Sequence, residues 1–264
     1  MKNHLLVIDP QVDFCDPKGA LFVDGADRDI GRLAAFVRQH APKLADIHVT
    51  LDSHQLVHVA HPIFWVDADG NHPKPFTAIT AVEVEGKNPQ WKTTSPALRQ
   101  RGIDYVKALA SGGRYTLVIW PPHCLIGRPG HNIMPELADA FQEWQQGLRL
   151  VRYVTKGSNP LTEHYSAVKA DVPDPLDPGT QISTRLIETL QEADQILIAG
   201  EALSHCVANT VRDIAAEFGD GQVRKLVLLE DAASSVGSFE KLGEDFVREM
   251  TARGMKVAKT TNVF

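Results

Sequence analysis

Short apolar runs that alternate with amphipathic helical stretches constrain this chain more than any other feature. The runs are Leu5–Ile8, Ile47–Leu51, Leu148–Val154, Ile196–Ala199, Leu226–Leu229 and Lys256–Lys259. The helical stretches are Asp27–Gln39, Ile133–Gln145, Ser183–Glu192, Cys206–Phe218 and Phe239–Arg253. The runs lack the strict apolar/polar alternation of a strand with one wet face, so both faces are covered and the strands run parallel. The expected architecture is α/β: a doubly wound, mostly parallel six-stranded sheet with helices on both faces. With 264 residues, 43% of them apolar, one domain spanning 1–264 can bury a large core. The stretch His61–Gly113 breaks the alternation. It holds a Pro/Asp/Gly/His-rich segment, a Thr/Val-rich piece and a helix-like Ser95–Ala110. We read it as an insertion after the second strand, a lid or an oligomer contact, with functionless decoration as the alternative. Tyr115–Trp120 reads as a further strand, with a sheet edge as its candidate place.

Charge and cysteine usage exclude several roles. The net charge of −6 comes with no basic stripe, which argues against nucleic acid as a partner. No apolar run approaches the roughly 18 residues of a membrane span. The opening Leu5–Ile8 is too short for a signal peptide and is ended by Asp9. Three cysteines form no disulfide framework, so a reducing cytoplasm is the expected location.

Parallel sheets place ligands at the carboxyl ends of their strands. The positions just past those ends are Asp9, Asp52, Lys156, the turn before Cys206, and Asp231. Cys206 follows the run Ile196–Gly200 through Glu201–His205 and opens a helix. Helix-end N–H groups and the helix dipole favour thiolate there, the form that attacks carbonyl carbon; a lone cysteine is otherwise a small packing hydrophobe. Asp9 is placed to act as a base, or simply as a turn residue. In Asp52-Ser53-His54, carboxylate and imidazole two residues apart converge on one side of an extended chain. That pair suits a divalent metal and needs further ligands. His123, held by the rigid Trp120-Pro121-Pro122 lead-in, is the candidate third ligand, with His58, His61 and His72 as rivals. Lys156 can pull down a neighbouring thiol and hold Asp9. Cys15 and Cys124 read as packing thiols, Cys124 with a second reading as a metal neighbour.

The motifs that carry a resemblance are Val7-Ile8-Asp9-Pro10-Gln11-Val12-Asp13-Phe14-Cys15, Asp52-Ser53-His54, Trp120-Pro121-Pro122-His123-Cys124 with Gly127 and Pro129-Gly130, Lys156-Gly157 through Tyr165-Ser166-Ala167, and Gly200 through Val207. In this order, over almost the whole length, the chain resembles the isochorismatase-like cysteine hydrolases, and more closely their nicotinamidase branch. The resemblance implies the isochorismatase-like hydrolase fold and a triad of Asp9, Lys156 and Cys206. It implies an oxyanion hole from the N–H groups of Ala202 and Cys206, after a cis peptide expected at Glu201–Ala202. It implies a metal on Asp52, His54 and His123, zinc first, with iron or manganese also fitting. It places Phe14, Trp120 and Tyr165 around a substrate ring, and it suggests a homo-oligomer. Two departures stand out: Ser204 replaces an acid of some relatives, and Glu201 replaces a commonly apolar residue.

The expected function is a metal-containing cysteine amidohydrolase. It would cleave nicotinamide or a related small amide to acid and ammonia through a thioester, a reaction that serves NAD salvage if the substrate is nicotinamide. The alternatives are an amidase of the same fold on an N-carbamoyl, ureide or non-aromatic amide, and a catalytically silent binding protein.

Overall fold

A computed structural model describes all 264 residues. The sheet strands are β1 (Asn3–Ile8), β2 (Leu44–Asp52), β3 (Val151–Lys156), β4 (Gln195–Gly200), β5 (Leu226–Leu229) and β6 (Lys256–Ala258). They lie side by side in the order β6-β5-β4-β1-β2-β3, and every neighbouring pair is parallel. The longer helices are α1 (Ala26–His40), α2 (Arg99–Gly112), α3 (Pro135–Gln145), α4 (Thr184–Gln191), α5 (Ala208–Phe218) and α6 (Glu240–Ala252). Helix α1 packs on α3, and α5 packs on α4 and α6. This division follows from right-handed crossovers. Connections from β1 outward to β3 put α1 and α3 on one face, and those running back through β4 to β6 put α4, α5 and α6 on the other. The expected doubly wound sheet is therefore present. β1 and β5 are buried at every position, whereas the outer strands β3 and β6 keep exposed ones, as covered central strands and half-covered edges require. No helix is long and apolar enough to cross a membrane.

Two sequence expectations need correction. The third strand begins at Val151, not Leu148. Leu148 takes a φ of 57° to reverse the chain after α3, and that turn leaves Leu148 and Leu150 exposed. In Tyr115–Trp120 only Leu117–Val118 is a strand, and it pairs antiparallel with Ala78–Ile79, off the main sheet. The N–H groups of Ile119 and Trp120 donate to the carbonyls of Thr77 and Ala60 (2.9 and 2.7 Å), and Pro121-Pro122 have none to continue a ladder. The 61–113 stretch carries α2 and packs Trp65, Tyr105 and Leu109 into the same apolar cluster as the sheet strands.

The reversal of strand order falls between β1 and β4. The crevice past the carboxyl ends of these two strands is where such sheets bind ligands. Asp9 leaves β1 and the Glu201–Cys206 turn leaves β4 at that crevice.

Buried histidines make this fold sensitive to acid. Burial pulls His48 down to about 4, against the nearby Asp46, and burial alone pulls His205 down to about 4. In the unfolded chain both sit near 6.5, so between those values the unfolded state binds more protons and stability falls as pH falls. For His205 the loss is on the order of 3 kcal/mol when complete. The contribution of these two histidines is expected to be constant from pH 8 to 7 and to fall from about pH 6.5 to 4, so the thermal midpoint of a His205→Gln variant, taken relative to the native chain, should climb as pH drops through that interval. A difference that stays flat down to pH 5 would contradict this.

Candidate active site

The site grows from three strand ends. Asp9 turns out of β1 with a φ of 44°. Its N–H donates to Thr50 Oγ1 on β2 (3.0 Å), and the Thr50 hydroxyl donates back to Asp9 Oδ1. Lys156 ends β3 beside its register partner Asp52 on β2. Its Nζ stands 2.9 Å from Asp9 Oδ2, 3.1 Å from Asp52 Oδ1 and 3.6 Å from Cys206 Sγ. All four residues are buried. The acid, the ammonium and the thiol expected from separate strand ends therefore meet at one nitrogen.

Their electrostatics divide the two carboxyls. Burial raises both, but His54 and Lys156 outweigh it at Asp52 and hold that carboxyl well below its ordinary value. At Asp9 burial prevails over the Lys156 charge and leaves the carboxyl raised. Lys156 itself, though disfavoured by burial, is held well above the ordinary lysine value by Asp52 and Asp9. Of the two carboxylates facing one cation, Asp9 is thus the more basic, the property that separates a proton acceptor from a fixed charge.

The thiol corrects the sequence reading. Helix α5 begins at Ala208, and Cys206 lies in a π-helical turn, Leu203–Val207, that leads into it. Burial pushes the Cys206 thiol well above its ordinary value; Lys156 pulls it down, and Asp9 and Asp52 push it up further. Burial therefore works against the thiolate that a helix start alone would favour, because other segments of the chain remove the sulfur from water.

The peptide Glu201–Ala202 is cis. The Ala202 carbonyl accepts from His205 and Val207 (3.0 and 3.1 Å), while its own N–H finds no acceptor in the chain. Gly200, at a φ of 107°, allows this approach: a Cβ there would lie 2.0 Å from the Ile8 carbonyl oxygen.

Asp52, His54 and His123 bring one ligand-type atom each within 4.8 Å of one another. Asp52 Oδ2 lies 3.0 Å from His54 Nε2 and 3.4 Å from His123 Nε2. The other ring nitrogens face backbone carbonyls, His54 Nδ1 that of Gly157 (3.0 Å) and His123 Nδ1 that of Pro121 (2.8 Å). Donation from Nδ1 to a carbonyl, with Nε2 turned toward the cluster, is the orientation of metal-ligating histidines. Gly157 makes room, since a Cβ there would lie 2.7 Å from Asp52 Oδ1. One carboxylate and two imidazoles thus fit a divalent ion with open positions. The rivals separate. His58 uses Nε2 toward the Thr162 carbonyl and Nδ1 for the Ala60 N–H (both 3.2 Å). His72 is exposed and faces the Trp65 carbonyl. His61 lies beside the cluster, its ring 5.4 Å from His54 and 5.7 Å from His123, with a buried Nε2 that has no partner.

A narrow cleft of about 20 Å³ lies over Cys206, Ala202 and His123. Phe14, Trp120 and Tyr165 line it. Trp120 Nε1 donates to the Tyr165 hydroxyl (2.9 Å), and Phe14 sits 5.3 Å from the His123 ring. Glu163, His205, Leu21 and Val236 also line the cleft and were not anticipated. His205 adjoins the nucleophile candidate and could have been suspected from that; nothing in the local sequence marks the others. Cys15 and Cys124 are buried and free, and burial raises both thiols. Cys124 is absent from the ligand cluster.

No protein-family model and no curated protein matches the sequence. Solved structures do resemble the fold. The yeast nicotinamidase Pnc1p superposes with a TM-score of 0.67 at 20% identity, over 97% of this chain and 99% of that one. A nicotinamidase/pyrazinamidase of Acinetobacter baumanii gives 0.67 at 21%, over 100% and 98%. The pyrazinamidase of Pyrococcus horikoshii, solved in complex with zinc, gives 0.59 at 22%, over 98% and 99%. At these identities the likeness establishes a shared fold, the isochorismatase-like one anticipated from the motifs.

Proposed function

We propose that this chain is a cysteine amidohydrolase that converts nicotinamide, or a closely related small aromatic amide, to the carboxylic acid and ammonia. The observation that carries the reading is the Lys156 ammonium, which touches Asp9 and Cys206 beneath an aromatic cleft and beside a three-ligand cluster. The neighbours support it: the yeast fold relative was solved with the inhibitor nicotinaldehyde, and one from L. infantum with nicotinate.

The chemistry follows from the charges. The amide carbonyl carbon meets Cys206 Sγ, whose proton passes to Asp9 as the S–C bond forms. Deferring ionisation until attack suits a thiol whose charged form burial disfavours. Lys156 keeps the growing negative charge balanced against two carboxylates. The free Ala202 N–H and the Cys206 N–H receive the oxyanion, each such donor contributing on the order of 3 kcal/mol in acyl transfer. Asp9 returns the proton to the nitrogen, the C–N bond breaks and ammonia leaves. A water then adds to the thioester, giving its proton to Asp9, and the carboxylic acid departs as the thiol re-forms. Phe14, Trp120 and Tyr165 hold the ring. A divalent ion on Asp52, His54 and His123 would supply a positive anchor for an aromatic nitrogen; zinc is the first candidate, and His61 is placed to join the set.

We read residues 61–113 as a buttress of the aromatic wall more than a free lid. Phe76 meets Trp120 edge-on at 5.8 Å, and the Tyr105 hydroxyl accepts the Glu163 N–H (3.1 Å).

Ammonia release across nicotinamide, pyrazinamide, an N-carbamoyl amino acid and an aliphatic amide tests the reading. Preference for the ring amides is expected, and turnover of none of them would end it. Replacing His123 by alanine is expected to lower bound metal from near one per chain by at least about tenfold in affinity. KM should rise more than kcat falls. Mass-spectrometric metal content unchanged in that variant would remove His123 from the ligand set.

A further inference from the structure

Glu201 has no part in the steps above, yet it begins the turn that carries the Ala202 N–H. It is fully buried, and although Ala202, His205 and Cys206 of the same turn line the cleft, Glu201 does not. Its side chain points away, into a junction of four segments. Glu201 Oε2 accepts the N–H of Ser234 (3.0 Å), and the Ser234 carbonyl accepts the N–H of Leu203 (2.8 Å). The Ser234 hydroxyl donates to Asp29 Oδ2 on α1 (2.6 Å), and Arg32 pairs with the other oxygen of Asp29. The N–H of Glu201 donates to the carbonyl of Ile8 (2.7 Å), one residue before Asp9. The start of α1 closes on the same serine, since a Cβ on Gly25 would lie 2.9 Å from Ser234 Oγ.

Within this junction Glu201 Oε1 is buried and receives no hydrogen bond. The charged or titratable groups facing it are Asp29 and Arg32 on α1 and the Cys15 thiol. An ionised Glu201 would strand a bare oxygen next to another carboxylate, a costly arrangement in a buried site. A neutral acid turns that oxygen into a donor toward Asp29. Burial first, and then Asp29, push the Glu201 carboxyl well above its ordinary value.

We propose that Glu201 is a positioning residue that works as a neutral carboxylic acid: its carbonyl oxygen holds Ser234, its O–H holds Asp29, and together they set the Ala202 N–H against the strand end that carries Asp9. The kinetic half of this rests on the amidohydrolase reading; the protonation half does not.

Two variants test it. Glu201→Gln keeps a carbonyl and a donor in the same places without an ionisable proton. A carboxyl whose folded value is raised gives stability that is present below the unfolded value near 4.5 and is lost as pH rises. Glu201→Gln lacks that loss, so its thermal midpoint relative to the native chain is expected to climb from pH 5 to pH 9, whatever the substrate. Its kcat should stay within about threefold. Glu201→Ala should lower kcat by 30-fold or more with KM within about threefold, because the cleft itself is untouched. A Glu201→Gln chain that loses stability relative to the native one as pH rises would overturn the neutral acid. A Glu201→Ala enzyme with native kcat, or a Glu201→Gln enzyme as slow as the alanine variant, would overturn the positioning role. If the native chain turns over no amide, the amidohydrolase reading falls while the stability comparison still decides the state of Glu201.

Discussion

Cys206→Ala is expected to reduce turnover by on the order of 10⁴-fold or more, the loss seen when a covalent nucleophile is removed from an otherwise intact acyl-transfer site. The fold should survive, since the change deletes one sulfur and leaves the Lys156 pairs with Asp9 and Asp52 in place. The substrate should still bind, because the aromatic wall and the metal ligands are other residues. The measurement is ammonia release at saturating nicotinamide, with binding followed by calorimetry on the same preparation. Near-native turnover would mean that the sulfur is a bystander and that the convergence on Lys156 serves the fold alone. Loss of binding together with turnover would place the thiol in ligand recognition instead of chemistry.

Lys156→Met is expected to damage stability and activity together. Methionine has a similar length and reach, so the change isolates the charge. Asp9 and Asp52 would then face each other in a dry site without the ammonium that lies 2.9 and 3.1 Å from them. Removing one partner of a buried ion pair costs about 3–5 kcal/mol, a large share of the stability of an ordinary domain. The sign of its pH dependence follows. Without Lys156 both carboxyls move up from their values in the native fold, so the variant gains relative stability as pH falls and loses it as pH rises. Urea unfolding at pH 5 and pH 8 should show a smaller deficit at the lower value. An equal deficit at both would assign the cost to lost packing, and a variant as stable as the native chain would mean that Asp9 and Asp52 are not both charged in the fold.

Much of the architecture could be read locally. The strands β1, β4 and β5 appear as apolar runs because both faces of an inner parallel strand are dry, while β2 carries His48 and Thr50 between its apolar residues. The edge strand β3 was read too long, since Leu148 and Leu150 are as apolar as core residues while lying exposed in a turn. Tyr115–Trp120 looked like a sheet strand because β propensity does not say which partner a strand finds; here Thr77 and Ala60 take its N–H groups. At the site, Asp9, Asp52 and Lys156 were visible from position alone. Glu163 was not, because its relation to the cleft passes through the loop after β3, and His61 stood only among rival ligands because its place beside the cluster is set by the insertion.

Residue order by itself settled which chemical groups stand past the carboxyl ends of the strands, because a dry parallel strand announces its own end and the next residue inherits the crevice. Protonation was decided only by the assembled fold. Whether Cys206 rests as thiol, which of Asp9 and Asp52 is the stronger base, and whether Glu201 is charged all depend on the water excluded and the ions brought near by distant segments. Desolvation and Coulomb terms are properties of the packed volume, and no stretch of chain carries them alone.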